Sequence, residues 1–171
     1  MTNYCRQNLK DIYDLLGKLN EIQYQQKSPL LSGSSIGEHV RHILEFYICM
    51  IKGSQNGCVN YDKRKRNIQL ENNNKYAQET IHNISKEIMI MDLNLDVVLE
   101  GNLSVNDIGK VSIPTSILRE MAFCLDHSIH HQAMIKIALK EQNSENLIDE
   151  EFGVAHSTLR HRNTLATTKE N

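Results

Sequence analysis

Residues that break helices are scarce in this chain. Only two of its 171 residues are proline and eight are glycine. Since these two residues disfavour a helix interior more than any others, long helices can form between the few breaks. A chain of this length forms one domain with a substantial core. We therefore expect a single domain that is mainly helical.

Four segments carry apolar residues at intervals of three and four, which is the spacing of one face of a helix. The predicted helices cover about residues 3–26, 35–52, 73–91 and 116–141. The second is apolar around most of its circumference, which predicts that it is largely buried. In the first, the predicted apolar stripe consists of Leu9, Ile12, Tyr13, Leu16, Leu19 and Ile22. Four long helices joined by short and long connections are typical of an antiparallel bundle.

Sequence signals mark the ends of two of these helices. Ser35-Ile-Gly-Glu38 is a capping box, in which the serine hydroxyl and the glutamate carboxylate each accept a hydrogen bond from a free backbone N–H group. Gly53 is expected to stop this second helix. Pro114-Thr115-Ser116 supplies the start signal of the fourth helix.

A short β-hairpin is predicted between the third and fourth long helices. The stretches 95–104 and 110–113 alternate in part between apolar and polar residues, and they flank Asn106-Asp-Ile-Gly109. The predicted fold class is therefore all-α, a four-helix bundle with this hairpin. We assign residues 1–160 to the domain and the polar residues 161–171 to a flexible C-terminal tail.

The sequence also argues against several classes of protein. The N-terminus lacks the apolar core of a signal peptide, and no apolar run approaches the roughly 18 residues of a spanning helix, so we expect a soluble, cytoplasmic protein without a membrane partner. A net charge of −2 gives no field that would attract nucleic acid. The basic segment Lys63-Arg-Lys-Arg66 is compatible with binding of a phosphate or an acidic substrate group, but we favour a solvated loop or an ion-paired surface.

Two histidines, His127 and His131, lie one helical turn apart on the apolar face of the fourth helix. This spacing alone is weak evidence. His42 lies near the edge of the buried face of the second helix. Since metal sites in bundles are built from inward side chains of facing helices, these three imidazoles are candidate ligands of a divalent metal. The alternative is that each is a hydrogen-bonded residue of the core.

These motifs resemble the DinB-like (DNA-damage-inducible) superfamily, which includes bacillithiol- and mycothiol-dependent transferases. Ser35-Ile-Gly-x-x-x-x-His42 and His127-x-x-x-His131 carry the resemblance, which spans most of the chain. The segments Tyr61-Asp-Lys-Arg-Lys-Arg66 and Phe152-Gly-Val-Ala-x-Ser157-Thr are similar to an uncharacterised bacterial subgroup. The resemblance implies a four-helix bundle of DinB-like type, with a metal held by one histidine of the second helix and two of the fourth. The implied ligands are His42, His127 and His131.

Four further residues are candidates for catalysis in the same pocket, namely Glu38, His39, Glu120 and His130. His39 and His130 also offer alternative ligand assignments, although the resemblance implies His42 and not His39, because the distance of His42 from Ser35 fits the family motif. His39 could instead support a ligand or face the substrate. Glu38 and Glu120 are candidates for a fourth ligand, a base or an orienting group. For Glu38 we favour a simpler interpretation, a carboxylate placed at the positive end of a helix.

Together, these features favour a metal-dependent enzyme that uses Zn²⁺, Ni²⁺ or Fe²⁺. A metal with an open position would lower the pKa of a bound thiol, which favours thiol transfer to an electrophile, or of bound water, which favours hydrolysis. The expected partners are a small-molecule substrate and a low-molecular-weight thiol, and two largely apolar helices also leave room for a homodimer. The alternative is a non-catalytic metal-binding bundle that serves as a structural, small-ligand-binding or oligomerising module.

Overall fold

The computed structural model of this chain describes residues 1–105 and 108–169. Helices dominate these residues, and small β-sheets complete the fold. The helices are α1 (Thr2–Lys18), α2 (Glu21–Gln25), α3 (Ile36–Asn56), α4 (Ile68–Asn72), α5 (Asn74–Ile90), α6 (Ile117–Glu141) and α7 (His156–Lys169). The strands are β1 (Lys27–Ser28), β2 (Ser34–Ser35), β3 (Cys58–Val59), β4 (Asp96–Asn102) and β5 (Lys110–Ser116). None of the described helices combines the length and the apolar character that crossing a membrane requires.

The four longest helices, α1, α3, α5 and α6, pack against one another around the core. Helix α3 contacts α5 and α6, and α1 contacts the same two helices. Their inward side chains are apolar and buried, including Leu9, Leu16, Ile43, Leu44, Met50, Ile81, Ile88, Met121, Ile135 and Leu139. Burying one such side chain contributes about 1.5–3 kcal/mol. The predominantly helical architecture is confirmed, and it makes α3 and α6 direct neighbours.

The prediction of one continuous helix over residues 3–26 was wrong. Helix α1 ends at Lys18, and the short α2 begins after Asn20. Asn20 and Gln23 form a second capping box, because each side chain accepts a hydrogen bond from the backbone N–H of the other. The inward stripe therefore stops before α2, and Ile22 is 79% exposed. Tyr13 is also exposed, so the predicted stripe was too wide.

Helix α3 starts as predicted but is longer. The Glu38 N–H donates to Ser35 Oγ at 3.2 Å, and the Ser35 N–H donates to Glu38 Oε2 at 2.8 Å. The helix passes through Gly53, where the prediction ended it, and stops before Gly57, whose φ of 71° favours glycine. Gly53 has a different role, because a Cβ there would collide with the side chain of Val59 in β3.

The predicted hairpin is present as an antiparallel pair of β4 and β5. Their register runs from Asp96 opposite Ser116 to Asn102 opposite Lys110. Part of the predicted turn, residues 106 and 107, lies outside the described residues. The two-residue strand β3 adds to β4 in parallel, which the sequence does not indicate because so short a strand has no periodicity of its own. This sheet links the connection after α3 to the start of α6.

Helix α6 begins at the predicted cap, where Ser116 Oγ accepts a hydrogen bond from the Arg119 N–H at 3.3 Å. A lysine holds the segment after α6 to α1, because Lys18 Nζ donates a hydrogen bond to the carbonyl oxygen of Leu147 at 2.8 Å. Helix α7 then covers His156–Lys169. Residues 170 and 171 of the predicted tail lie outside the described residues, and the domain boundary at residue 160 stays a prediction.

Candidate metal centre

Three histidine side chains converge between α3 and α6. One nitrogen of each of His42, His127 and His131 lies within 4.8 Å of the other two. The closest pair, Nε2 of His42 and Nε2 of His127, is 2.9 Å apart. The ring centroid of His131 lies 4.6 Å from each of the other two. Within residues 1–105 and 108–169, no other group of three potential ligands has this spacing. The three histidines are positioned to bind a metal ion.

Local sequence explains why these rings meet. The capping box fixes the first turn of α3, and His42 follows about two turns later, on the side that packs against α6. His127 and His131 are four residues apart, so they lie one above the other on one face of α6. Phe46, one turn after His42, packs its ring on His127 at a centroid distance of 4.3 Å. The contact between the helices thus brings the two histidine faces together.

Burial keeps these imidazoles uncharged at neutral pH. It lowers the pKa of His42 to about 4, helped by the proximity of His127 and Arg64. It lowers the pKa of His131 to about 3, helped by His42 and His127. The pKa of His127 is also lowered, first by burial and then by His130 and Arg64. A neutral imidazole has one nitrogen lone pair, which is the form that binds a metal.

A fourth histidine, His39, touches this set without belonging to it. Its Nδ1 lies 2.8 Å from Nδ1 of His131, and the two ring centroids are 5.1 Å apart. Burial lowers the pKa of His39 as well. Its other nitrogen, Nε2, is buried and has no hydrogen-bond partner among the described residues. The geometry therefore favours His42 over His39 as the member of the set that α3 contributes.

Aromatic rings line one side of the histidines. The ring of Phe46 lies between the rings of His127 and Tyr61 and is stacked on both, at centroid distances of 4.3 Å and 4.7 Å. Phe123 lies 5.6 Å from His127. Phe46 and Tyr61 are buried, whereas Phe123 and the three histidines are half-buried. The centre thus combines an apolar wall with partial access from solvent.

A buried ion pair lies next to this wall, and sequence reasoning missed it. Glu45 is 3% exposed, and its carboxylate accepts a hydrogen bond from the Asn67 N–H at 2.8 Å and lies 3.4 Å from Arg64 Nε. The Arg64 guanidinium also lies over the ring of Phe46, 5.6 Å from the centroid. The other three members of segment 63–66 are exposed, as the favoured interpretation of a solvated loop or an ion-paired surface predicts, whereas Arg64 is ion-paired but half-buried.

Glu120 lies outside the histidine set, although the sequence placed it on the same face as His127. It is fully buried and accepts hydrogen bonds from the Tyr61 hydroxyl at 2.9 Å, the Thr115 hydroxyl at 2.7 Å and the Arg119 guanidinium at 3.0 Å. These bonds tie the connection after α3 and the end of β5 to α6. Sequence reasoning did not find the partners, because a single Tyr or Thr far along the chain leaves no spacing signal.

Glu38 and His130 also lie apart from the set. Glu38 Oε2 accepts hydrogen bonds from Lys27 Nζ at 2.6 Å and from the Ser35 N–H. Although burial opposes the effect, these bonds hold the pKa of Glu38 below its usual value, which agrees with its role in the helix cap. His130 is exposed. Of the four predicted catalytic candidates, His39 is the one with a ring nitrogen within hydrogen-bonding distance of the described histidine set.

Comparison with known proteins gives a limited similarity. No family model matches the chain, and no solved structure matches it. The chain is similar to a protein of Rhizopus delemar named FK506-binding protein 5, with 37% identity over 106 residues. The alignment covers 60% of this chain and 27% of that protein. The chain thus spans about a quarter of the length of the curated relative that it matches, and the activity of the whole relative does not transfer to it.

Proposed function

We propose that this chain is a metal-binding protein of DinB-like type, in which His42, His127 and His131 hold a divalent cation. The observation that carries the proposal is the set of three neutral imidazole nitrogens within 4.8 Å of one another. Lone pairs that face each other at such distances are unfavourable unless a hydrogen or a cation lies between them. Imidazole donors suit Zn²⁺, Ni²⁺ and Fe²⁺, so the donor set fits all three metals.

The proposal includes a four-helix bundle formed by α1, α3, α5 and α6. Its support is the pattern of contacts, in which α3 and α1 each pack against both α5 and α6. This closed cycle is the arrangement that a bundle of four helices has. It places the histidines of α3 and α6 toward the same interface, where bundles carry their metal sites.

The reaction we propose is thiol transfer to an electrophile or hydrolysis of a small molecule. A divalent metal with three protein ligands has an open position and acidifies a thiol or water bound there. The chain itself would supply the surroundings. Phe46 and Phe123 pack beside the ring of His127, and the partial exposure of the histidines would give a small substrate access to them.

A second candidate function is a non-catalytic module in which the metal clips α3 to α6. One observation favours it. Both carboxylates that could act as a base, Glu38 and Glu120, are engaged in hydrogen bonds that stabilise a helix cap or the fold. Without a free base nearby, hydrolysis by metal-bound water is disfavoured, whereas a structural metal needs no base.

Elemental analysis of the tag-free protein tests the proposed site. We expect stoichiometric metal in the wild type and its loss in His131→Ala. The matched control is His82→Ala, which removes an exposed histidine of α5 and should retain the metal. A wild-type protein without stoichiometric metal contradicts the proposal.

Incubation with a low-molecular-weight thiol and an electrophile then separates the two functions. Product formation that disappears with His131→Ala supports the enzyme. Metal that raises the unfolding temperature without any turnover supports the structural clip. Turnover that persists at full rate in His131→Ala rules out the proposed metal-dependent mechanism.

A further inference from the structure

The contact between His39 and His131 restricts how His131 can bind a metal. The two Nδ1 atoms are 2.8 Å apart, the distance of a hydrogen bond. Such a bond needs one hydrogen between the two nitrogens. A neutral imidazole carries one hydrogen, on either Nδ1 or Nε2, and its other nitrogen is an acceptor. The pair therefore has two possible polarities.

The first polarity is incompatible with metal binding by His131. If Nδ1–H of His39 donates, Nδ1 of His131 is occupied as the acceptor. The hydrogen of His131 must then be on Nε2, so neither of its nitrogens has a free lone pair. In the second polarity Nδ1–H of His131 donates, and its Nε2 keeps a lone pair for a cation.

We propose that His39 is a positioning residue of the metal centre, which accepts a hydrogen bond from Nδ1–H of His131 and thereby presents Nε2 of His131 to the cation. The inference rests on the proposed metal site. Metal-bound histidines commonly donate their second N–H to a carboxylate, a carbonyl or water, which fixes the tautomer and the ring orientation. Here a second imidazole takes that place. Because His39 precedes His42 by one turn, α3 supplies one ligand and orients another on α6.

Two observations distinguish this role from the alternatives. His39 is not a fourth metal ligand, since the nitrogens that lie close to one another belong to His42, His127 and His131. Nor does the pairing satisfy both ring nitrogens of His39. With Nδ1 as acceptor its hydrogen is on Nε2, which is buried and has no partner among the described residues. A histidine retained for structure alone would usually have both nitrogens satisfied.

Nitrogen NMR of the full-length, zinc-loaded chain with ¹⁵N-labelled histidine tests the polarity directly. We expect His131 to be protonated at Nδ1 and metal-bound at Nε2, and His39 to be protonated at Nε2. A scalar coupling between the two Nδ1 nuclei would report the hydrogen bond itself. Protonation of His39 at Nδ1, or coordination of zinc by Nδ1 of His131, overturns the proposal.

Zinc affinity of three variants provides the second test. His39→Ala removes the acceptor, and we expect zinc to bind about 10–100-fold more weakly. His39→Gln keeps a carbonyl oxygen on the same side of α3 and should recover part of the loss. His130→Ala is the matched control, because it removes the other non-ligand ring beside His131, at 5.5 Å between centroids, and should leave the affinity unchanged.

The outcomes separate this inference from the proposed function. Zinc affinity of His39→Ala equal to that of the wild type overturns the positioning role alone. Equal losses in His39→Ala and His39→Gln would assign the effect to packing and also overturn it. Circular dichroism of the metal-free variants checks the fold, and the NMR tautomers of the wild type decide the question even if His39→Ala fails to fold. A wild-type chain that binds no zinc contradicts both proposals together.

Discussion

Two clusters of polar side chains lie along α6, and they differ in how completely their groups are paired. The Glu120 cluster consists of Tyr61, Thr115, Arg119 and Glu120. The histidine cluster consists of His39, His42, His127 and His131. In the Glu120 cluster one fully buried carboxylate accepts hydrogen bonds from three donors, so its charge and its lone pairs are matched. In the histidine cluster neutral nitrogens approach to 2.8 and 2.9 Å, and one buried nitrogen has no described partner.

The difference is consistent with a structural role for the Glu120 cluster and with the proposed binding role for the histidine cluster. Buried polar groups that serve only the fold are satisfied by the protein itself, since an unpaired one costs free energy. The Glu120 cluster meets that requirement from three parts of the chain. The histidine cluster does not meet it, and such mismatches concentrate at functional sites. In the proposed site a divalent cation would bind lone pairs of His42, His127 and His131, which is why only this cluster is expected to respond to metal.

The largest expected effect is the loss of metal-dependent stability in His127→Ala. With free zinc at a thousandfold excess over its dissociation constant, the free energy of unfolding of the wild type should rise by about 4 kcal/mol. In the variant most of this rise should vanish, because two imidazoles bind more weakly than three. Denaturant unfolding with zinc and with a chelator measures both values. An equal rise in the variant would mean that the metal binds elsewhere.

The next effect is confined to the Glu120 cluster. Glu120→Leu removes the acceptor of three donors, and it should lower the free energy of unfolding by about 3 kcal/mol. Glu120→Gln keeps one acceptor oxygen and should lower the free energy of unfolding by a smaller amount. Zinc affinity of the folded fraction should not change in either variant. A fall in affinity as large as that in His127→Ala would show that the two clusters act as one site.

The pH dependence of the free energy of unfolding, measured on the metal-free chain, also compares the two clusters. The folded-state pKa values of His42 and His131 are depressed, to about 4 and about 3, against about 6.5 in the unfolded chain. Their contribution to stability is therefore present above pH 6.5 and is lost as the pH falls toward the folded-state values. In this window each adds a slope of at most about 1.4 kcal/mol per pH unit. The double variant His42→Gln/His131→Gln should show a shallower acid slope, whereas Glu120→Gln should retain the wild-type histidine slope.

The histidine cluster and the Glu120 cluster also differ in how far the sequence could predict them. The four long helices, the hairpin strands and most inward faces follow from short-range periodicity, so the convergence of His127 and His131 with His42 could be expected from their faces. The short helices α2 and α4 and the terminal helix α7 were not predicted. Helix ends depended on single residues whose role is set by their surroundings. Gly53 is an example, because its close contact with Val59 matters more than its tendency to end a helix. The break at Asn20 was missed although its capping box with Gln23 is local.

Long-range polar pairs were beyond sequence reasoning for a different reason. Glu120 pairs with Tyr61, and Glu45 lies beside Arg64. Each pair joins residues from separate elements, and neither partner has a spacing that points to the other. The sequence therefore identified Glu120 as a possible member of the metal centre, whereas its hydrogen bonds assign it to the fold. Three histidines on the inward faces of two helices can be recognised from their spacing in the sequence, but one carboxylate with three different donors cannot.

The smallest expected effect comes from the edge of the Glu120 cluster, where the two clusters approach each other. Arg119 is 58% exposed, and besides its bond to Glu120 its guanidinium lies 5.4 Å from the centroid of Phe123, whose ring packs near His127. Because solvent screens this pair, Arg119→Ala should lower the free energy of unfolding by only about 0.5 kcal/mol. The buried hydroxyl of Tyr61 contributes more to stability, so Tyr61→Phe should lower the free energy of unfolding by about 1 kcal/mol.

Zinc titration of both variants completes this comparison. Unchanged affinity in Arg119→Ala and Tyr61→Phe is expected if the Glu120 cluster contributes to the fold alone. A change in Arg119→Ala without one in Tyr61→Phe would trace a connection through Phe123, since Arg119→Ala removes a contact with that ring whereas Tyr61→Phe keeps an aromatic ring beside it. The aromatic wall would then transmit the state of one cluster to the other, and the separation of structural and binding roles along α6 would have to be abandoned.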